Sequence, residues 1–270
     1  METTRSQRWR ERRALWARDL TVIDPKAYAV DIIDHGPARA FIAQHHYLPS
    51  YPAARIAIGL FGRNAILEGV AVFAVPTTNA VITRHTGFDD PECGCVLARL
   101  ILTDAVPQNG ESFFVARAFR HLRRERPNIE AVVSYSDPGA GHIGRVYCAL
   151  SAAHRTVTKP RIVLRAGGVT ISGRTLSKIR LGEQGHAGAI DQLVALGLPR
   201  PATLEQPAAW LWRLERERLL VRHRRAGLYA YCFELTREAR RRGRALPRLP
   251  YPKALPAAHP TLPLFAPQEI

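Results

Sequence analysis

One stretch of the sequence places a carboxylate between a buried strand and a helix. Residues 132–136 read VVSYS, a short β-branched and aromatic run typical of sheets. Asp137 ends it, because a residue followed by proline is kept out of the α region. Three glycines then permit a sharp turn, and apolar residues from Ile143 onward recur at helical spacing. Asp137 therefore stands where ligands bind in open α/β sheets and could serve as a general base; the alternative is that it only caps the turn.

Two other segments offer candidate site residues. Arg99 interrupts the apolar run VLARLILT at 96–103. A buried charge there must be paired or line a cavity, because burial of an unpaired charge is costly; the alternative is that Arg99 faces solvent on a half-exposed strand. His46 and Tyr47 follow a helix predicted over 34–44, and the prolines at 49 and 52 hold them in a loop. The imidazole, phenol and guanidinium are all groups that can move protons or orient a substrate.

A loop and two basic segments are candidates for binding phosphate. A helix predicted over 112–126 is preceded by Asn-Gly, and such N-termini bind phosphate through backbone amides and the helix dipole. The candidate cofactor ligands there are Asn109, Gly110 and Ser112. The polar face of this helix and a glycine-punctuated basic loop at 173–188 supply candidate nucleic-acid contacts: Arg117, Arg120, Arg124, Arg174, Lys178 and Arg180.

The composition limits the classes of partner. The chain has 270 residues and 46% hydrophobic residues, so it can bury a core. Its net charge of +16 requires either a polyanionic partner or a reason for tolerating self-repulsion. Nucleic acid is the leading partner class and a membrane surface the second. There is no apolar run long enough for a transmembrane helix and no secretory pattern at the N-terminus, so we expect a cytoplasmic protein. No cysteine pair has zinc-site spacing, and no metal is indicated.

The order of predicted elements indicates an α/β (α+β) fold. Three strands, a helix, a strand, a helix and a hairpin follow one another, which predicts a GNAT-like central mixed sheet flanked by helices. We expect a basic N-terminal segment at 1–20, one catalytic domain over 21–245 and a proline-rich tail at 246–270, either disordered or docked on the surface.

The sequence resembles the phage Mom family between about residues 35 and 235. The resemblance rests on His46-Tyr47, LARL at 97–100, NGES at 109–112 and, above all, SDPGAGHIG at 136–144 with Tyr147. It implies a GNAT-related enzyme in the cytoplasm of a bacterial host cell that adds a carbamoylmethyl group to adenine N6 in duplex DNA. This modification would protect phage DNA from host restriction. It also implies active-site roles for His46, Tyr47, Arg99, Ser112 and Asp137.

The resemblance leaves the group donor open. The added group has the atoms of glycine amide, and the sequence does not distinguish between a coenzyme A ester, an aminoacyl-tRNA and another activated glycine or acyl compound as its donor. Double-stranded DNA is the expected partner and tRNA a further one. Two other functions stay open: a GNAT-type N-acetyltransferase for a protein, small amine or RNA, and a DNA-binding protein without catalysis.

Overall fold

The computed structural model describes residues 21–255, which form two compact units. The first unit comprises residues 21–158 and 228–255, and the second, here called the insert, comprises residues 159–227. The single catalytic domain predicted over 21–245 spans residues of both units, since the chain leaves the first unit after Thr158 and returns to it at Leu228. The basic segment at 1–20 and residues 256–270 of the tail lie outside the described residues.

The first unit is built on a mixed seven-stranded sheet in the order β1-β2-β3-β4-β5-β10-β6. Its strands are β1 Ala29–Ile33, β2 Ala54–Phe61, β3 Leu67–Ala74, β4 Gly94–Leu102, β5 Ala131–Ser136, β6 Ala153–Val157 and β10 Tyr229–Glu234. Its helices are α1 His35–His45, α2 Ala80–Thr86, α3 Gly110–Glu125, α4 Arg145–Ala149 and α8 Arg237–Gly243. The predicted α/β fold class, with a central mixed sheet flanked by helices, is confirmed.

Only one pair of neighbouring strands in this sheet is parallel, β4 with β5. A parallel pair needs a crossover connection, and α3 supplies it between these two strands. Helix α3 buries Phe114, Val115, Ala118 and Leu122 against one face of the sheet. Helix α1 buries Ala38, Phe41 and Ile42 against the other face. The core therefore lies on both faces of the sheet, as in other layered α/β folds.

The insert has its own sheet and core. Strands β7 Arg161–Ala166, β8 Val169–Thr170 and β9 Val221–Arg225 form a sheet in the order β8-β7-β9. Helices α5 Gly173–Leu181, α6 His186–Val194 and α7 Pro207–Arg216 complete it. Its core contains Leu164 and Ala166 of β7 together with Ile179, Leu193 and Trp210 of the three helices. Among the described residues, no helix in either unit is long and apolar enough to cross a bilayer.

Helix α5 corrects the prediction of a basic loop at 173–188. Glycine was taken as a sign of irregular backbone, but Gly173 opens the helix and Gly182 follows its end with a positive φ of 62°. The hydroxyl of Ser172 accepts a hydrogen bond from the Thr175 amide and caps the first turn. The glycines therefore mark the ends of a helix rather than a loop. The arginine-rich residues Arg237–Gly243 also form a helix, α8.

Candidate active site

The two parallel strands diverge and leave a fork in the sheet. Their pairing covers only Gly94 with Ala131, Cys95 with Val132 and Val96 with Val133, although β4 continues to Leu102. Beyond this point the hydroxyl of Ser134 donates to the Leu97 carbonyl, so a side chain replaces the backbone ladder. A cavity of about 470 Å³ opens at the fork, within the range of about 300–1,000 Å³ typical of small-molecule sites.

Four segments of the first unit line this cavity. They are residues 97–102 of β4 (except 99), residues 135–137 and 141–147 at the end of β5 and the turn after it, residues 46–48 after α1, and residues 253–255 of the tail. Glu111, in the first turn of α3, completes the wall. The structure thus places three of the candidate residues, His46, Tyr47 and Asp137, in the wall of one cavity.

Asp137 both caps a turn and lines the cavity. Its Oδ1 accepts a hydrogen bond of 2.8 Å from the Gly139 amide. Asp24 and Asp90, each also followed by a proline, accept the same bond from the amide two residues on, at 3.0 and 2.9 Å. Those two aspartates are exposed, whereas Asp137 is 8% exposed and lies in the cavity wall. The capping role therefore does not account for the burial of Asp137.

His46 is held as a neutral imidazole with a defined tautomer. It is buried, and burial together with the smaller effect of the positive charge of Arg99 lowers its pKa to about 3. Its Nδ1 accepts a 2.9 Å hydrogen bond from the Leu48 amide, so the ring proton is on Nε2. The ring stacks on Tyr47 with centroids 4.6 Å apart. His46 is therefore a hydrogen-bond donor rather than a base.

A second histidine in the cavity wall, His142, was not a candidate in its own right. Its ring centroid is 5.8 Å from that of Tyr47, and its backbone amide donates to the Asp137 carbonyl at 2.9 Å. Burial lowers the pKa of His142, and the negative charge of Asp137 opposes that shift. The sequence signal that could have identified His142 is its place in the glycine-rich turn, because the segment 142–144 puts this ring one turn after the carboxylate of Asp137.

Arg99 is attached to the loop that carries His46 and Tyr47. Its Nη2 donates to the Ser50 carbonyl at 2.8 Å and to the Ser50 hydroxyl at 3.1 Å, and its Nη1 donates to the Ala98 carbonyl at 2.7 Å. Burial lowers the pKa of Arg99. These hydrogen bonds anchor the loop to β4, and the guanidinium places a positive charge near His46.

The turn after Asp137 is kept tight by Gly144. Its φ is +78°, and a Cβ atom there would lie 2.5 Å from Cε2 of Tyr231. Tyr231 is fully buried and donates its hydroxyl proton to the Ile143 carbonyl. A residue larger than glycine would therefore displace the turn that carries His142 and Asp137.

The candidate phosphate loop is mostly satisfied by its own hydrogen bonds. The Gly110 amide donates to the Pro107 carbonyl at 3.2 Å, and the Ser112 hydroxyl donates to the Asn109 carbonyl at 3.0 Å. None of Asn109, Gly110 and Ser112 lines the cavity, whereas Glu111 does. A carboxylate in the first turn disfavours a phosphate at this helix end, so we assign no donor contact there and phosphate binding by this loop stays a prediction.

The six candidate nucleic-acid contacts lie on two helices, one in each unit. On α3, Arg120 and Arg124 are exposed, and the Arg117 guanidinium lies 4.4 Å from the centre of the Phe113 ring. On α5, Arg174 is ion-paired with Glu183 at 2.8 Å, and Lys178 and Arg180 lie in the last turn. Within the described residues, no group of three His, Cys, Asp or Glu side chains could hold a metal ion.

Sequence reasoning missed Glu111, Arg145 and Lys253 of the cavity wall. Glu111 lay inside the NGES motif, but there it was read as part of a phosphate loop. Lys253 lies more than a hundred residues from the motifs, and no local pattern links it to them.

Comparison with known proteins gives one family and several loosely similar structures. The Mom protein family matches residues 27–253. No curated protein matches. Similar solved structures include spermidine/spermine N-acetyltransferase SpeG from Vibrio cholerae, at 8% identity over 80% of this chain and 98% of that chain, with a TM-score of 0.41. Two others are the ribosomal-protein-S18-alanine N-acetyltransferase from Escherichia coli (10% identity, 77% and 94% covered, TM-score 0.36) and a Bacillus subtilis acetyltransferase in complex with CoA (7%, 77% and 99%, TM-score 0.34).

Proposed function

The chain belongs to the Mom protein family, and from this premise we propose that it is a transferase that adds a carbamoylmethyl group to the exocyclic N6 of adenine in duplex DNA. The observation that carries the proposal is the buried carboxylate of Asp137 in a cavity whose other polar groups include a neutral imidazole and a phenol. Protection of phage DNA from a host restriction enzyme would follow from such a modification.

The reaction requires a base at the acceptor nitrogen. The lone pair of adenine N6 is delocalised into the ring, so N6 must be aligned with the electrophile and must lose a proton. In the proposed reaction N6 attacks the methylene carbon of a carbamoylmethyl donor whose leaving group is attached to that same carbon. The bond between N6 and the methylene carbon forms, the bond from this carbon to the leaving group breaks, and the leaving group departs with the electron pair of the broken bond. Asp137 takes the N6 proton. Its bond from Gly139 fixes the orientation of the carboxylate.

The neutral imidazole complements this base. Because the His46 proton is on Nε2, the ring can donate a hydrogen bond to a donor carbonyl or leaving oxygen on which negative charge develops. Arg99 supports this arrangement by holding the loop through Ser50. Since a base inside a duplex is inaccessible, the adenine would be flipped into the cavity, where the Tyr47 ring is available for contact with it.

The test is mass analysis of nucleosides in DNA from cells that express the protein. The wild type should yield a modified adenine whose added mass corresponds to a carbamoylmethyl group. Asp137→Asn retains the turn-capping oxygen but removes the basicity, so the modified nucleoside should fall by a factor on the order of a hundred or more. Asp90→Asn is the control. Asp90 caps another Asp-Pro turn in the same way but is exposed, so this substitution should have no effect on the modified nucleoside.

Two outcomes would contradict the proposal at different levels. Normal modification by Asp137→Asn would remove Asp137 as the base. Unchanged adenine in cells that express the wild type would remove the DNA-modification function and favour N-acetyl transfer to another amine or binding without catalysis.

A further inference from the structure

A further tyrosine, Tyr135, lines the cavity beside the proposed base. It lies on β5 two positions before Asp137, and the backbone of Asp137 is still extended. Since residues alternate between the faces of a strand, the two side chains leave the same face of the sheet, about 7 Å apart along the strand. An aromatic ring and the carboxylate therefore lie side by side in one wall of the cavity.

The strand pairing around Tyr135 has ended on the side of the cavity. On one side, the register partner of Tyr135 is Ala230 of β10. On the other side, the pairing of β5 with β4 stops at Val133, which is opposite Val96. No backbone ladder fills the space next to Tyr135 where β4 would otherwise continue, so the Tyr135 ring borders the fork at which the cavity opens.

The faces of this ring are not occupied by a stacked partner. Within residues 21–255, Tyr135 contacts one other ring, that of His85, with centroids 6.2 Å apart and planes at 77°. A perpendicular contact of this kind covers at most one face of a ring. At least one face of Tyr135 therefore has no aromatic partner among the described residues.

The other two tyrosines of the cavity wall are more fully engaged. Tyr47 is stacked on His46 with planes at 24°, and its centroid is 5.8 Å from that of His142. Tyr147 of α4 packs perpendicular to two rings of the core, Tyr231 and Phe233. Of the three tyrosines, Tyr135 thus offers the stacking surface that lies closest in sequence to the carboxylate.

We infer that the flipped adenine stacks on Tyr135, with N6 directed along β5 towards Asp137. A flipped base is held by stacking on aromatic or apolar side chains and by hydrogen bonds to its edge. N6 projects from the edge of the purine, so a base on the Tyr135 ring can bring N6 to the carboxylate two residues further on. This inference rests on the proposed function, because it takes a flipped adenine as the acceptor.

The experiment measures how fast modified adenine appears after expression of the full-length protein is induced, by mass analysis of nucleosides. Stacking of a base on an aromatic ring changes affinity by a factor on the order of ten to a hundred. Tyr135→Leu removes the ring and should lower the initial rate by such a factor. Tyr135→Phe keeps the ring and should retain nearly the wild-type rate.

Tyr229→Leu is the matched control. Tyr229 is a half-buried tyrosine of the same sheet and contacts the ring of His154 at 5.6 Å and 76°, much as Tyr135 contacts His85, but it does not line the cavity. Its variant should modify adenine at the wild-type rate. A thermal melt of every variant shows whether a lower rate accompanies a loss of folding.

Binding of free deoxyadenosine to the full-length protein, followed by saturation-transfer NMR, gives a readout that does not depend on the group donor. The wild type and Tyr135→Phe should bind the nucleoside, and Tyr135→Leu should bind it at least about tenfold more weakly. Tyr229→Leu should bind it like the wild type.

Three results would overturn the inference and leave the proposed function in place. They are a wild-type rate and affinity in Tyr135→Leu, an equal loss in Tyr135→Phe and Tyr135→Leu, and an equal loss in Tyr135→Leu and Tyr229→Leu. The second would show that the hydroxyl matters rather than the ring, and the third that the effect is one of folding. If the wild type neither modifies adenine nor binds deoxyadenosine, the proposed function itself fails.

Discussion

The charge state of His46 follows from its burial and from one hydrogen bond. A charged imidazole would lose its hydration in the cavity wall and would lie near Arg99, so its pKa falls to about 3. The Leu48 amide occupies Nδ1 and leaves the proton on Nε2. At neutral pH the ring therefore cannot act as a proton relay that begins from an imidazolium, and its contribution is a fixed hydrogen-bond donor.

This assignment predicts how stability depends on pH. The pKa of His46 is lower in the folded state than its ordinary value of 6.5, so the unfolded chain binds the proton first as pH falls. The contribution of the neutral His46 ring to the free energy of unfolding is fully present above about pH 6.5 and is lost as the pH falls from 6.5 to about 3. At pH 5 the loss due to His46 is about 2 kcal/mol. His85 and His142, whose pKa values burial also lowers, act in the same direction.

The measurement is urea unfolding at pH 8 and pH 5 for the wild type and for His46→Asn. Asparagine can place its Oδ1 near the position of Nδ1 and accept from Leu48, but it does not titrate. The variant should lose about 2 kcal/mol less stability than the wild type between the two pH values. An identical pH dependence in both proteins would show that His46 is not buried as a neutral ring.

The first part of the tail, residues 247–255, is docked on the sheet of the first unit. Leu249 donates its amide to the His154 carbonyl at 2.8 Å, and His154 Nδ1 donates to the Pro250 carbonyl at 2.8 Å. The Tyr251 hydroxyl donates to the Ala152 carbonyl at 2.9 Å. The buried Arg155, which is ion-paired with Glu234, also donates to the Pro247 carbonyl at 3.3 Å. Proline has no amide proton to donate but keeps its carbonyl. The prolines therefore do not prevent this docking, because the segment forms these hydrogen bonds mainly through carbonyl groups and a hydroxyl.

Truncation of the tail should therefore destabilise the protein. A chain that ends at Leu246 loses these four hydrogen bonds, each worth about 0.5–1.5 kcal/mol, and leaves the buried Nδ1 of His154 without its partner. We expect a loss of about 2–5 kcal/mol. A chain that ends at Leu255 keeps every one of these contacts and is the control. If both truncations melt at the same temperature, the docked segment contributes nothing.

At the scale of the whole molecule, the insert replaces what would otherwise be a hairpin turn. Strands β6 and β10 are antiparallel neighbours, and Val157 pairs with Tyr229 at the point where the chain leaves the sheet. The Thr158 amide donates to the Leu228 carbonyl, and the Leu228 amide donates to the Thr158 hydroxyl, both at 2.8 Å. The two ends of the insert are therefore joined within the first unit.

This geometry predicts that the first unit folds without the insert. Replacement of residues 159–227 by Asn-Gly would close β6 and β10 with a two-residue turn. The shortened protein should keep its circular-dichroism spectrum for a mixed sheet and melt in a single cooperative transition. A protein that is unfolded or aggregated after this replacement would show that the insert is required for folding of the first unit.

The sequence by itself determined the elements that build the site. The apolar runs at 55–61 and 132–136 and the helical spacing at 112–126 correspond to β2, β5 and α3, because burial on a strand or helix imposes a local period. The Asp-Pro-Gly stretch placed Asp137 at a strand end, because proline and glycine act on the backbone within one or two residues.

Only the tertiary structure decided which side chains meet. Several features of the structure depend on residues that lie from 37 to more than 100 positions apart in the sequence. They are the separation of β4 from β5, the hydrogen bonds between Arg99 and Ser50, the place of Lys253 in the cavity wall and the pairing of Arg161 with Arg225. Hydrophobic periodicity reports that a position is buried but not what buries it. Strand register and loop packing arise from the mutual fit of distant segments, and these contacts turn separate motifs into one cavity.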